Sequence, residues 1–355
     1  MRSPEDLDVD ALALPCRVWC TVTVSRGSFT LADGVEIEGG SLELSSGQQT
    51  QERLSFTLSP DWVPVDEWSP FAPYGQVARL RVHVEPDGMA PFTVDRGSFL
   101  LQDVMWDSGT AGAVKVTAYS LLQRLVDDDF AFPTSPDPKA TLQREVERLC
   151  YPHLVPVLEC GNPVLPGGLS WGNRRVEALT KLADMYGFRF YVGPDDLLHV
   201  VDSTRRGAVA SYSGEDLLLS EARKMTHSVP NRWTAVSNST GGDRSHSGGL
   251  SHSVAVNAGV RSPALYGVVH KVLQVQAGSQ DGVVAAADRA MREATSGNDA
   301  RSFKIVQDFR LDLGDAIQVV TPDDGTVAGI VTGAVMDLSG GAQSMRVDVR
   351  EMAVV

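Results

Sequence analysis

The sequence predicts a mostly β protein with an α+β insert, in which two small β-barrel-like domains flank a helix-hairpin α+β domain. Three observations predict it. Apolar and β-branched residues alternate at a period of two from the N-terminus to about residue 118. The period lengthens to helical spacing between about 119 and 212. It then returns to two as far as residue 355, with one helix inserted at about 281–295. A period of two puts alternate side chains on opposite faces of a half-buried strand, whereas positions i, i+3 and i+4 share one face of a helix. The expected domains are 1–118, 119–212 and 213–355. A chain of 355 residues, 43% hydrophobic, is long enough for two or three domains and apolar enough for a sizeable core, which excludes global disorder.

In the first domain, strands are read at 17–24, 41–44, 54–58, 77–84 and 114–117. Turn chemistry closes them: Asp33-Gly34, Gly39-Gly40, Ser59-Pro60, Pro86-Asp87-Gly88 and Asp107-Ser108-Gly109. Short strands punctuated in this way point to a barrel or sandwich. The tetrapeptide Arg26-Gly27-Ser28-Phe29 returns as Arg96-Gly97-Ser98-Phe99; chance, or one turn solved twice, accounts for it better than duplication. In the middle domain, Leu121, Leu122, Leu125 and Val126 follow helical spacing and run into Asp127-Asp128-Asp129. After a proline-rich loop, Asp137 is placed as N-cap and Pro138 at the first position of a helix whose stripe is Leu142, Val146 and Leu149. The stretch 152–166, again proline-rich, ends it. Asn173 is placed as the cap of the next helix, whose stripe is Val176, Leu179, Ala183 and Tyr186 and which Gly187 stops. Residues 188–192, the turn Gly193-Pro194-Asp195-Asp196 and residues 197–201 make a hairpin. The last domain opens with a strand at 232–236, followed by a Ser/Gly/Asn-rich loop from 237 to about 253. Its helix is expected to bury Val284, Ala287, Ala290, Met291 and Ala294. Strands at 327–331 and 345–349 close a small barrel.

Composition excludes several classes. Lys+Arg number 31 against 45 Asp+Glu, a formal charge of −14, which opposes tight binding to phosphate backbones. No apolar run approaches the ~18 residues of a membrane helix, and the acidic start after Met1 reads as no signal peptide. Four cysteines make no disulfide scaffold at this length; Cys16 and Cys20, four apart along one strand, lie roughly 13 Å apart. Cys150, His153 and Cys160 lack a fourth ligand and the paired spacing of a zinc site, so no metal and no cofactor are expected. Gly168-Leu169-Ser170-Trp171-Gly172 matches GxSxG, but the residues before it, Asn162 to Gly167 with two prolines, are unfit for the buried strand that a nucleophile elbow needs. Asp243, His246 and His252 fall in the Ser/Gly loop, where nothing apolar fixes their geometry. Asp127 to Asp129 is read as a solvated run at the wrong helix end for the dipole. Asp6, Asp8 and Asp10 lack the Gly and terminal Glu of a calcium loop. Trp62, Trp68 and Phe71 sit among prolines between two groups of strands; they either form a contact surface for a partner or cover an edge of the first barrel.

Three stretches carry a family resemblance. The strand Val114-Lys115-Val116-Thr117-Ala118-Tyr119 runs into Ser120-Leu121-Leu122. Residues 174–183, Gly187, Phe188 and the turn from Pro194 to Leu198 form a helix-hairpin. Leu311-Asp312-Leu313-Gly314-Asp315 launches the closing strands. Together they resemble the tail hub, or baseplate hub, of long-tailed bacteriophages and related contractile injection systems. Ser120 stands where the family's helix often opens with Asp, and the first hundred residues match only in strand character. The resemblance implies a structural protein without catalytic residues, two β-barrels of similar fold, and a homotrimer whose six barrels join a six-fold tail tube and distal tail proteins to three-fold tip, spike or fibre proteins. It implies a place in the virion tail after assembly in the bacterial cytoplasm, with DNA passing an acidic channel without specific binding. Two other functions remain open at this stage. One is a tail-associated hydrolase with Ser170 as nucleophile and His199 or a later histidine as base. The other is a host-glycan-binding tail protein that stacks sugars on Trp62 and Trp68.

Overall fold

Alternation in the first 120 residues produces seven strands: β1 (Cys16–Arg26), β2 (Phe29–Glu36), β3 (Gly39–Ser45), β4 (Glu52–Leu58), β5 (Val77–Pro86), β6 (Phe92–Met105) and β7 (Val114–Ser120). The computed structural model describes residues 12, 14–107, 112–202, 209–225, 230–237, 251–259, 261–275, 280–296, 299–322, 325–340 and 344–351. In β5 the alternation is strict, with Ala78, Leu80, Val82 and Val84 turned inward and Arg79, Arg81 and His83 outward. Leu54, Phe56 and Leu58 of β4 and Val114, Val116 and Ala118 of β7 face the same core. The antiparallel order is β2-β1-β5-β6-β7-β4-β3.

The insert follows with α1 (Gln123–Asp127), α2 (Leu142–Cys150), β8 (Pro156–Glu159), α3 (Arg175–Tyr186), β9 (Phe188–Val192) and β10 (Leu198–Asp202). It has its own core, in which Leu142, Val146 and Leu149 of α2 meet Val176, Leu179 and Leu182 of α3 over the inward faces of β9 and β10. Gly187 ends α3 in the left-handed conformation at φ 69°, as its position predicts. The N-caps differ from expectation. Thr141, not Asp137, caps α2 through its side chain, and the N-cap of α3 is Arg174, one residue beyond Asn173, with no side-chain cap bond.

The remaining strands are β11 (Ala210–Tyr212), β12 (Leu218–Met225), β13 (Arg232–Ser237) and β14 (Ser251–Val256). After α4 (Pro263–Tyr266) come β15 (His270–Val275), α5 (Gln280–Ser296), β16 (Asp299–Val306), β17 (Ala316–Thr321), β18 (Gly325–Asp337) and β19 (Ser344–Glu351). Strands β13, β14 and β15 form a separate three-stranded sheet covered by α5, with Ala235, Ala255, Val283 and Ala287 at its core. Residues 232–236 therefore begin an inserted α/β unit rather than the last barrel. On α5, Ala287 is buried and Met291 packs against this core as expected, but the valine turned inward is Val283, and Val284 is exposed.

Strands β12-β16-β19-β18-β17-β11 make the second β unit, and β18 joins it to the first. Past Thr332, β18 keeps β19 on one side and on the other exchanges β17 for β3, pairing antiparallel with it, Ala334 against Leu44 and Met336 against Leu42. The two β regions thus share one 13-stranded sheet and one continuous core.

The two units repeat each other strand for strand. The order β1-β5-β6-β7-β4-β3 corresponds to β11-β17-β18-β19-β16-β12. In the β6–β7 ladder three pairs from Phe99–Ser120 to Leu101–Ala118 precede a one-residue bulge and three more pairs, Asp103–Thr117 to Met105–Lys115. In the β18–β19 ladder three pairs from Gly329–Glu351 to Val331–Val349 precede the same bulge and the pairs Gly333–Asp348 to Val335–Arg346. The backbone N–H of Leu101 donates to the carbonyl of Gln76, and that of Val331 donates to the carbonyl of Asp315. These are matching positions in the two units, both ahead of the corresponding hairpin. Phe56 and Phe303 occupy the same place in β4 and β16, and both are buried. The units differ in two respects: β2 has no counterpart, and β11 runs parallel to β17 where β1 runs antiparallel to β5.

Candidate functional site

The residues that bring three regions of the chain together are arginines. Arg96 occupies the bulge of β6 at which Leu80 pairs with Gly97 but Arg81 with Asp95. The extra residue turns the Arg96 side chain inward, and it is 1% exposed. Its guanidinium donates to the carbonyls of Phe309 (2.9 Å) and Leu311 (3.0 Å) and to the carboxylate of Asp312 (3.0 Å), with Glu52 at 3.7 Å. Arg189 of β9 donates to the carbonyl of Leu313. The segment 309–313 of the second β unit is therefore held by one arginine from the first unit and one from the insert. Asp315 closes this turn by accepting from the Asp312 N–H at 2.9 Å, and burial pushes its carboxyl above the usual range. Beside it, Asp308 and Arg310 form a fully buried ion pair (2.7 Å), and Tyr212 donates to Asp308. Burial, reinforced by Asp308, pushes the Tyr212 phenol well up.

A second contact fixes the insert against the first unit. Arg79 donates to Asp95 (2.7 Å) and to the Pro194 carbonyl (2.7 Å), and Ser98 donates to Asp196. Within the insert, Arg175 gathers the carbonyls of Asp128, Leu149 and Tyr151 and pairs with the Asp128 carboxylate at 2.9 Å. His153 also bonds Asp128, and this hydrogen bond, with Arg175, holds the Asp128 carboxyl below its ordinary value. Asp128 is thus engaged in the structure and not merely solvated.

Ser170 is exposed on a loop, and no strand enters it. Its neighbour Trp171 is the anchor: it exchanges two backbone hydrogen bonds with Thr134, and its indole donates to Glu145 at 2.6 Å. Among the described residues no histidine bonds Ser170. His199 is committed elsewhere, with Nδ1 on Glu159 (2.9 Å), Nε2 on Asp195 (3.1 Å) and its ring stacked on Tyr191. Burial alone would lower its pKa, but the two carboxylates outweigh that and raise it. Carboxylates at both ring nitrogens favour the protonated ring.

Cys150 is buried and its thiol pushed up to about 12, an inert state; desolvation also raises Cys160. His252 lies exposed on β14. His246, Asp243, Asp6, Asp8 and Asp10 lie outside the described residues.

The aromatic trio divides. Phe71 is fully buried and meets Phe56 (6.1 Å) and Trp62 (5.4 Å) edge-on. It belongs to the core and is unavailable to a partner, because the loop 60–76 folds back over the end of the first unit. Trp62 is half-buried against that core. Trp68 is 54% exposed, with Arg26 stacked over it at 4.5 Å. Gln76 orders this loop by donating to the carbonyls of Glu67 and Ser69.

Sequence reasoning passed over Arg96, Arg189, Asp308 and Arg310. Only Arg96 left a signal, since two residues after Val94 it stands where alternation demands an apolar residue; Arg189, Asp308 and Arg310 fall at the polar positions of alternating runs.

No family model matches the chain, and no curated protein matches it. Solved structures do. The tail protein from Neisseria meningitidis MC58 aligns with a TM-score of 0.70 at 13% identity, over 94% of this chain and 97% of that one. The 43 kDa tail protein of prophage MuSo2 from Shewanella oneidensis aligns at 0.66 and 11% identity, over 93% and 98%. Prophage tail protein gp18 from Listeria monocytogenes EGD-e aligns at 0.58 and 10% identity, over 93% and 94%.

Two expectations follow from this geometry. Arg96→Met strips Asp312 and two inward carbonyls of their donor and is expected to cost about 3–5 kcal/mol, read from the urea unfolding midpoint. His199 has a raised pKa, so its contribution is complete below its ordinary value of 6.5 and fades as pH rises through the raised value. The stability difference between the parent and His199→Gln should therefore be largest below the ordinary value of 6.5 and shrink as pH rises above it. Over nearly its whole length, the chain has the fold of phage tail proteins.

Proposed function

We propose that this chain is the structural hub of a phage tail tip or baseplate, and that it works as a homotrimer. The observation that carries the reading is the repeated β unit, identical in strand order and in the position of its bulge. A chain with two near-equivalent units presents six of them when three copies close a ring. Such a ring offers six-fold neighbours to a tail tube and three-fold neighbours to tip, spike or fibre proteins. The fold likeness to tail proteins over 94% and 93% of the chain supports this.

In this reading the charge of −14 lines a passage that repels phosphate, so DNA moves through without sticking. Trp68, backed by Trp62, is a partner contact at the end of the first unit. The protein is made in the host cytoplasm, acts in the virion tail, needs no cofactor and carries no catalytic centre. Its work is done by buried area and strand pairing between subunits.

Two measurements test the reading. Light scattering of the purified chain is expected to give three times the monomer mass; a monomer or dimer at every concentration would end the trimeric reading. A fluorophosphonate probe is expected to leave Ser170 unlabelled, and a Ser170-dependent label would restore the hydrolase.

A further inference from the structure

Two of the open strand edges of the large sheet hold corresponding places in the repeat. One is the outer edge of β6 beyond Leu101, where β5 has ended and residues 103–105 pair with β7 alone. The other is the outer edge of β12, the last strand of the large sheet. Large apolar side chains crowd the first: Met105 is 64% exposed and Trp106 46%. Open edges with exposed apolar residues are templates for another strand.

The chain itself shows what such an edge takes. β18, the counterpart of β6, passes its bulge and pairs with β3, matching Gly333 to Ser45, Ala334 to Leu44, Val335 to Glu43, Met336 to Leu42 and Asp337 to Ser41. The strand that corresponds to β3 is β12. The two ladders align because Thr57 and Lys304 hold the same place in β4 and β16, which puts Gly39 level with Ser220 and Ser41 level with Ala222.

We propose that the β6 edge of one copy pairs antiparallel with the β12 edge of a second copy, in the register of the internal β18–β3 junction. Val104 then lies opposite Met225, Met105 opposite Lys224, Trp106 opposite Arg223 and Asp107 opposite Ala222. The partner strand cannot come from the same chain, because six strands of the sheet separate β12 from β6. The inference rests on the hub reading for its threefold closure, but the pairing itself comes from the repeat.

The chemistry of the two edges suits an association made between soluble chains. Inside the chain one pair of this junction is Met336 and Leu42, both fully buried. Between copies the same place is taken by Trp106 and Arg223, a cation–π pair. Arg223 is meanwhile held by Glu221 at 2.7 Å, so the free β12 edge is charged and resists unselective pairing. The contact is head-to-tail, and every copy uses each edge once, as a closing ring requires.

The test is a register-specific cross-link. Asp107 and Ala222 are both exposed. They correspond to Asp337 and Ser41, a pair flanked by the hydrogen bond from Leu338 N–H to the Gly40 carbonyl. Asp337 and Ser41 are thus a non-hydrogen-bonded pair, in which Cα atoms approach to about 4.5 Å, within disulfide reach. The full chain carrying Asp107→Cys and Ala222→Cys is expected to form, on mild oxidation, reducible covalent species that stop at three chains. Each single variant should form none, and so should Asp107→Cys with Ser220→Cys, two residues out of register. Covalent species longer than three would keep the pairing and overturn the threefold closure. A trimer by light scattering without the cross-link, or equal cross-linking from the Ser220 pair, would overturn this inference and leave the hub standing. A chain that stays monomeric would overturn both.

Discussion

The architecture depends on a buried guanidinium. Arg96 comes from the first β unit, and its partners, the carbonyls at 309 and 311 and the carboxylate of Asp312, come from the second, more than two hundred residues on. A buried charge must be paired and its donors satisfied, or the fold loses several kcal/mol. Residues 309–312 meet that demand by turning their carbonyls inward, which keeps them from continuing as a strand. Arg189 adds the Leu313 carbonyl from the insert. One short segment thereby sets the placement of all three regions, and the β18–β3 pairing beside it extends the sheet from one unit into the other.

The repeat of the β unit is written in register and nearly absent from sequence. The matching ladders share a bulge after the third pair and a backbone bond ahead of the hairpin, yet among the buried side chains the correspondence is of size and polarity, as with Phe56 and Phe303. Strand pairing constrains which face is apolar and where a bulge falls, and many residue choices satisfy that. The visible sequence repeat is, conversely, a false lead. Arg26-Gly27-Ser28-Phe29 is the tight turn between β1 and β2, with Phe29 65% exposed; Arg96-Gly97-Ser98-Phe99 is a mid-strand bulge with Phe99 fully buried. Glycine at positive φ serves both, which is why the same letters fit two different backbones.

The candidate chemistry was legible in part. The prolines before Ser170 argued against an elbow, and the structure places Ser170 on a loop anchored by Trp171 and Glu145. His199 could not be judged from spacing, because Glu159, one of its two carboxylates, reaches it across the parallel β8–β10 pairing, forty residues away. Phe71 stood between a partner contact and a cover for the barrel edge, and the loop that carries it folds over the barrel end and buries it. Arg96 and Arg189 were invisible as a set, since nothing local links a bulge in β6 to a turn before β17.

Periodicity was enough to establish strand and helix content, the helix-hairpin of the insert and the Gly187 stop, because those depend on contacts within a few residues. The likeness to tail hubs rested on the same local features, and solved structures bear it out as a fold. Pairing partners were another matter. Residues 232–236 alternate like any barrel strand, yet they pair with β14 and β15 under α5. On α5 the stripe through Ala287 takes in Val283 rather than Val284, because the packed sheet selects which of two adjacent valines faces it. That β18 serves both units could not be read from its own residues, since a strand's partner is chosen by whichever complementary edge the folded chain brings alongside.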